Sequence, residues 1–339
     1  MPITIKDIAD SARVSPSTVS RALNQSGYVS AAARERIETA IEELQYQPSW
    51  VARTLRGKHS GLVGLIIPDI LNVYYTSVSR SILENLNKKG YNLIIQVTNE
   101  DSDLELAYLR MLYDRKVDGI IYVPVADGNN SEFVRDLACK GVPMVELSRQ
   151  RESDILDAVL ADNFGGSYMA IERLRQLGHR RIAMIGGSMN SSTARDRFLG
   201  YKKALEDTGV LFDSNLAKMF DASKAWGIQA AQELLQLEPR PTAMFAASNQ
   251  LLVGVMTVLT ERKVKVPDDV SIISFDDSDW LSFWQPPITT VDIAVDEMGM
   301  LAVQLLMRRI EDGKAAEKPV TYRLSVNLVQ RGSCRPISK

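Results

Sequence analysis

Between Ser15 and Arg21 the sequence SPSTVSR places hydroxyl groups and one guanidinium at short intervals. Read as a helix, it turns Val19 inward together with Ala22 and Leu23, and leaves Pro16, Ser17, Thr18, Ser20 and Arg21 outward. Such a face can hydrogen-bond to base edges, and an arginine fork fits guanine O6 and N7 as a bidentate pair. A polar helix face turned to solvent is the competing explanation. A second cationic group lies at Arg53, Arg56 and Lys58, with the apolar Leu55 between the two arginines. Minor-groove binders combine an apolar wedge that unstacks a base step with cations that hold phosphates. A flexible charged linker is the alternative for that stretch.

Catalytic chemistry finds less support. The only histidines are His59 and His179, so a histidine-based triad is poorly supplied. No GxGxxG or GxxxxGK[ST] phosphate loop occurs, and Gly186-Gly187 is too short a signal to replace one. Asp276 and Asp277 are adjacent, but neighbouring side chains at a strand end point apart, which does not suit paired acid and base work. Cys139 and Cys334 are widely separated and lack CxxC or CxxH spacing, which argues against a disulfide framework and a zinc site. A binding module for DNA or for protein fits these residues better than an enzyme.

Short helices must position the outward residues. Thr4 can cap a helix whose apolar positions Ile5, Ile8, Ala9 and Ala12 follow the i, i+3, i+4 rule. Ser15 can cap the next, with Pro16 in the favoured first position. Only Arg13 and Val14 remain for the turn, as in a helix-turn-helix whose second helix can enter the major groove; an ordinary helical hairpin stays open. A third helix from Ser30 to about Gln45 closes a small core through Ile37, Ile41 and Leu44. Ser49 and Gly57 bracket a further helix shorter than the ~12–15 residues at which isolated helices become marginal, so it should form only when docked.

From Gly61 onward apolar, β-rich runs alternate with amphipathic helical stretches, an α/β pattern. Strands are expected at 62–68, 93–97, 119–123, 143–147, 158–161, 182–186, 243–247 and 270–275. Helices are expected at 75–89, 104–115, 165–177, 195–208, 225–237, 249–263 and 295–311. Near-continuous apolar strands imply parallel sheets covered by helices on both faces. GLVGLIIPD at Gly61 and RRIAMIGGS at Arg180 each open a β-α-β-α series. Two open sheets would then present their carboxyl edges to each other across a cleft, the place where ligands bind in such folds.

The length of 339 residues favours two or three domains, and 45% apolar with 24% charged residues is a globular composition. A net charge of −2 confines any DNA contact to a local patch. The start MPITIKDIADS lacks the apolar stretch of a secretory signal, and no run approaches the ~20 apolar residues needed to span a bilayer. A soluble cytoplasmic protein without membrane contact is expected.

Six segments in order carry a family resemblance: TIKDIADSARVSPSTVSRALN, YQPSWVARTLRG, LVGLIIPDILNVYY, LGHRRIAMIGG, ARDRFLGY and SFDD followed by PPITTV. Together they resemble the lactose/galactose repressor (LacI/GalR) family of transcriptional regulators over essentially the whole chain. The resemblance implies an N-terminal all-α helix-turn-helix head with a hinge helix. An α/β two-subdomain sensor like periplasmic binding proteins follows, with parallel sheets flanked by helices. The implied boundaries are 1–47 for the head, 48–60 for the hinge and 61–339 for the effector-binding and dimerisation region. Within the last, one subdomain takes about 61–161 plus 292–320 and the other 162–291 plus 321–335.

The implied DNA-facing set is Thr4, Ser15, Pro16, Ser17, Thr18, Ser20, Arg21 and Asn24 from the head, with Ala52, Arg53, Leu55 and Arg56 from the hinge. Leu55 would enter a central minor-groove step, with Arg56 beside it and Val51 and Ala52 where two hinge helices meet. Arg13 stands where the family shows glycine, and a left-handed backbone there costs an arginine about 1 kcal/mol. The implied effector cleft is lined by Asp69, Tyr74 and Tyr75 from the first sheet and Asp162, Arg197, Asn249 and Asp276 from the second. Carboxylates and an arginine fork suit vicinal hydroxyls or an acid group, while Trp280 and Trp284 can cover the apolar side of a sugar ring. Relatives often carry an aromatic residue at the position of Ala222, so the pocket is either wider here or stacked by those tryptophans. The implied partners are a near-palindromic operator duplex, a second copy of the chain and a sugar or sugar acid. A regulator of the same family that responds to a purine or another metabolite is the alternative. No cofactor or metal is implied, and without a heptad tail after Pro336 the expected assembly is a dimer.

Overall fold

Thr4 opens the first helix through a reciprocal cap: its amide and hydroxyl donate to Asp7 Oδ2, each at 2.7 Å, while the Asp7 amide returns to Thr4 Oγ1 at 3.4 Å. The computed structural model describes residues 3–23, 27–45, 60–151, 155–312 and 318–337. Asn24 and the hinge residues Ala52, Arg53, Leu55 and Arg56 lie outside the described residues, as does the expected hinge helix. The chain divides into two units, Met1–Ser60 and Gly61–Lys339.

The described part of the first unit holds α1 (Ile5–Ala12), α2 (Pro16–Leu23) and α3 (Ala31–Glu43). Ile8, Ala9, Ala12, Val19, Ile37 and Ala40 form its buried core. Arg13 ends α1 in the left-handed region, at φ 53° and ψ 49°, so the conformation glycine would adopt without strain is held here by an arginine. Ser30 caps α3, its Oγ accepting the Ala33 amide at 3.3 Å.

In the second unit the first sheet runs in the order β11-β5-β4-β3-β1-β2. Its strands are β1 (Leu62–Ile67), β2 (Asn92–Val97), β3 (Gly119–Tyr122), β4 (Met144–Leu147), β5 (Asp157–Ala161) and β11 (Thr321–Leu324), all paired in parallel. The second sheet runs β12-β10-β9-β8-β6-β7. It contains β6 (Ile182–Gly186), β7 (Ala217–Met219), β8 (Ala243–Ala246), β9 (Ser271–Phe275), β10 (Thr289–Ile293) and β12 (Val326–Val329). Among the described residues, only the β10–β12 pairing is antiparallel. β1, β3, β4, β5, β6, β8 and β9 are buried almost throughout, as the continuous apolar runs require.

Helices α4 (Val73–Asn87), α5 (Ser102–Asp114), α6 (Ser131–Cys139) and α12 (Val295–Asp312) belong with the first sheet. With the second go α7 (Asn163–Gln176), α8 (Ser192–Asp207), α9 (Lys224–Leu234), α10 (Asn249–Glu261) and the short α11 (Asp279–Phe283). α9 and α10 cross backbone to backbone: a Cβ on Gly227 would meet Leu251 O at 2.5 Å, and one on Gly254 would meet Lys224 O at 2.4 Å. The chain passes between the sheets after β5, after β10 and between β11 and β12. The expected assignment of 321–335 to the second subdomain is corrected, because Thr321–Leu324 pairs with β5 in the first sheet. The changeover falls at Ser325, and β10 likewise keeps residues 292 and 293 on the second sheet. No described helix is long and apolar enough to cross a membrane.

Asp157, fully buried at the start of β5, fastens this arrangement. It takes two bonds from Arg309, at 2.7 and 2.8 Å, one from Arg308 at 3.1 Å and one from the Val320 amide at 2.7 Å. Burial pushes its carboxyl upward, but the Arg309 bonds, the amide and both guanidinium charges outweigh that and hold it below the ordinary 3.8. Asp157→Ala should cost about 1.5–3 kcal/mol in urea unfolding at neutral pH, since it removes a charged acceptor shared by the Val320 amide and two guanidinium groups. Because the folded carboxyl titrates low, this contribution is complete above 3.8 and disappears as pH falls through the folded value. A loss within the ~0–1 kcal/mol of an exposed pair would contradict the assignment.

Candidate nucleic-acid interface and ligand cleft

Three hydroxyls meet at the start of α2. Ser15 Oγ accepts the Thr18 amide at 3.2 Å and lies 2.7 Å from the Ser17 hydroxyl and 2.8 Å from that of Thr18. Ser15 is thereby the cap expected of it, and the cluster sits at the helix end that attracts phosphate. One turn on, Arg21 is exposed, with its Nε donating to Ser17 O at 3.3 Å, which keeps the guanidinium beside the same face. Pro16 and Ser17 are exposed with it, and Thr18 and Ser20 are half-buried. Thr4 is exposed, and its bonds hold the Asp7 carboxyl below the ordinary carboxylate value. The sequence reading missed Tyr28, 87% exposed, next to Gly27, whose added Cβ would lie 3.4 Å from Arg21 Cδ.

In the second unit, the functional side chains follow the carboxyl ends of the parallel strands. In each sheet the strand order reverses beside the first strand, between β1 and β3 and between β6 and β8, and such switch points open a crevice. Asp69 follows β1, Ser148 and Arg149 follow β4, Asn249 follows β8 and Asp276 follows β9. Ser148 and Asp276 occupy equivalent places in the two sheets, and both have left-handed backbones, at φ 64° and φ 70°. Neither is glycine, so each turn holds strain of the kind that collects at binding sites.

Arg197 projects from α8 into the buried interior. Its Nε donates to Asn163 Oδ1 at 2.8 Å, Nη1 to the Ala247 carbonyl, and Nη2 to Asp276 Oδ1 at 3.4 Å. Its guanidinium carbon lies 3.6 Å from the Phe275 ring centre. Asp276 also receives the backbone amide of Asn249, whose side chain donates to Ser278 Oγ at 3.1 Å. Burial raises the Asp276 carboxyl despite Arg197, and burial lowers the Arg197 guanidinium despite Asp276. Both groups are thus pulled toward neutrality: one long contact does not offset the removal of two charges from water.

The first lobe offers a contrast. Arg149 grips Glu100 with two bonds, of 2.7 and 2.9 Å, and donates to Pro124 O at 3.0 Å. Burial opposes both charges, yet Tyr75 and Glu100 raise Arg149 above its ordinary value, and Arg149 lowers Glu100. This bidentate pair is electrostatically satisfied; the Arg197–Asp276 pair is not.

Tyr74 and Tyr75 are buried at the start of α4 with ring centres 5.0 Å apart, and Tyr74 OH faces Met298 Sδ at 2.9 Å. Burial raises both phenols, and the charges of Asp276 and Arg197 act on each of them. The two tyrosines, Arg197 and Asp276 therefore share one buried region, with Arg149 and Glu100 adjoining. Asp69 turns its Oδ1 to the Leu71 amide at 2.7 Å and reaches Gln250 of the other lobe at 3.4 Å. Asp162 is committed to capping α7 through Gly165 at 2.9 Å, and its neighbour Asn163 contacts Arg197 instead. Trp284 is half-buried, packs against the second-lobe core and meets Trp280 edge-on at 6.1 Å. Ala222 leaves a small wall beside Gly187, and Phe220 packs on Trp226 at 5.3 Å. His179 is buried between the Thr242 hydroxyl at 3.0 Å and Arg335 O at 3.2 Å, a packing role.

A family model described as "Bacterial regulatory proteins, lacI family" matches residues 4–49, and one described as a periplasmic binding protein-like domain matches 171–334. At 30% identity the chain is similar to HTH-type transcriptional repressor PurR of Vibrio atlanticus, with 99% of each chain covered. At 32% identity it is similar to HTH-type transcriptional regulator DegA of Bacillus subtilis, with 100% of each covered. Among solved structures, a Lac repressor dimer bound to operator and the anti-inducer ONPF matches with a TM-score of 0.86 at 29% identity, covering 99% of this chain and 100% of that one. A complex of the regulator CelR with cellobiose matches at 0.73 and 29% identity, covering 98% and 99%. The relatives are transcriptional regulators and not enzymes. With a helix-turn-helix ahead of two doubly wound sheets, and with full-length similarity to such regulators, this chain belongs to the LacI family of DNA-binding transcriptional regulators.

Proposed function

We propose that the protein is a cytoplasmic repressor that binds a near-palindromic operator as a homodimer, and that a sugar or sugar acid in the cleft controls this binding. The observation that carries the ligand reading is the buried, under-compensated Arg197–Asp276 pair. A polyhydroxylated ligand would supply the missing hydrogen bonds: hydroxyls to the carboxylate, and hydroxyl or acid oxygens to the guanidinium. Asp69, Tyr74, Tyr75, Asn249 and Trp284 complete the proposed lining; Asp162 supports it as the cap of α7 while Asn163 takes its place beside Arg197, and Arg149 joins from the geometry. The cellobiose complex of the relative CelR supports a carbohydrate. A purine base is the second reading, favoured by the two buried tyrosine rings, against which a flat heterocycle can pack.

On the DNA side, the Ser15–Ser17–Thr18 cluster is proposed to hold a phosphate while Arg21 reads a base, with the dimer setting the half-site spacing. The relative solved as a Lac repressor dimer on operator supports this arrangement. A ligand that changes operator affinity tenfold needs about 1.4 kcal/mol of differential binding, well within what a few buried hydrogen bonds provide.

Two variants test the halves separately. Arg21→Ala should reduce discrimination between operator variants by about 1–3 kcal/mol in a binding titration, and equal discrimination by mutant and parent would contradict the base contact. In a thermal-shift screen against sugars, sugar acids and purine bases, a ligand at a hundred times its Kd should stabilise the parent by about 2.7 kcal/mol. Asp276→Asn should abolish that shift while keeping ligand-free operator binding. Persistence of the shift would remove Asp276 from the site, and a purine hit would favour the second reading.

A further inference from the structure

Beside the Arg197 region, on the edge of the cleft nearest β5 and β11, lies a hydrophilic cavity of about 330 Å³. Its walls come from both lobes: Ser148, Gln150 and Arg151 after β4, Ser192, Arg195 and Asp196 from the first turn of α8, and Arg323 from β11. Two cross-lobe bonds brace it, Gln150 N to Ser192 Oγ at 3.1 Å and Thr193 Oγ1 to Ser148 O at 3.0 Å. Ser148 and the buried Asn163 divide it from Arg197, so the Arg197 region and this cavity are neighbours with a common wall.

Among the described residues, the charges lining the cavity do not cancel. Arg151 spends its guanidinium on the carbonyls of Val125 and Ala126. Arg195 makes one long bond, to Met189 O at 3.4 Å. Arg323 approaches Asp196 only to 3.7 Å, beyond hydrogen-bonding reach. Two guanidinium groups on different lobes therefore face one half-buried carboxylate across a space large enough for a small metabolite.

We propose that this cavity is a second ligand site, distinct from the Arg197–Asp276 site, and that it takes a small molecule through a phosphate or carboxylate group held between Arg195 and Arg323. Arginine is the side chain best shaped for such oxyanions, through its planar fork of donors. Because Arg195 stands on the second lobe and Arg323 on the first sheet, an anion held by both ties the lobes together. Asp196 opposes the anion and limits its affinity.

The test is calorimetric titration of the full-length protein with inorganic phosphate and, separately, acetate, each against chloride at equal ionic strength. At least one anion should bind saturably, and which one binds identifies the group recognised. The double variant Arg195→Gln, Arg323→Gln should weaken that binding at least tenfold; both side chains are exposed, so the fold does not depend on them. Asp196→Asn should strengthen it severalfold, a gain that a purely structural role would not produce. Asp276→Asn should leave it unchanged, which separates this cavity from the proposed effector site. Absence of saturable binding by both anions, or undiminished binding in the double variant, overturns the proposal.

Discussion

Asp276 and Arg197 are charges buried away from water where the second lobe faces the first, and the 3.4 Å contact between them does not compensate for that burial. An interaction of this kind supplies about 4 kcal/mol at 4 Å under an effective dielectric of 20, against a desolvation cost of several kcal/mol per ion. The surroundings reduce the deficit. Phe275 lies under the guanidinium, Asn163 and the Ala247 carbonyl take two of its donors, and the Asn249 amide serves the carboxylate. What remains is a buried polar pair less fully compensated than Arg149–Glu100.

The fold exists around that centre in a definite sense. Two doubly wound sheets each bring a switch point to the same cleft, and the chain crosses between them three times, so the lobes are joined by several strands of backbone. Ser148 and Asp276, left-handed at equivalent strand ends, turn the chain at the cleft, and Asp69 reaches across it to Gln250. Asp157 clamps β5 to α12 and to the approach to β11 within the first lobe.

Much of this was legible in the residues. The head announced itself through Thr4, Ser15-Pro16 and Ser30, because caps act locally and need no tertiary context. The buried parallel strands were legible as continuous apolar runs. The strands β7, β11 and β12 were not, because they are short and partly exposed at sheet edges, where no apolar run is required, and β10 was not although it is buried, because its threonines and aspartate interrupt the apolar run. β11 in particular reads as polar, which is why 321–324 was expected on the wrong sheet. The cleft pair was visible only through family resemblance, since Arg197 and Asp276 are 79 positions apart and no local pattern joins them. Arg149 and Glu100, 49 apart, had no such motif to reveal them. Asn163 was overshadowed by its acidic neighbour Asp162, which the helix had already claimed as a cap.

On the proposed function, occupancy of the cleft and binding of the operator are energetically coupled. The most direct measurement is the affinity of a cleft ligand for the full-length protein, determined by calorimetry with and without a saturating symmetric operator duplex. Linkage requires the two affinities to differ by the same factor by which the ligand changes operator affinity. Identical ligand affinities in the presence and absence of operator would show that the two sites are uncoupled.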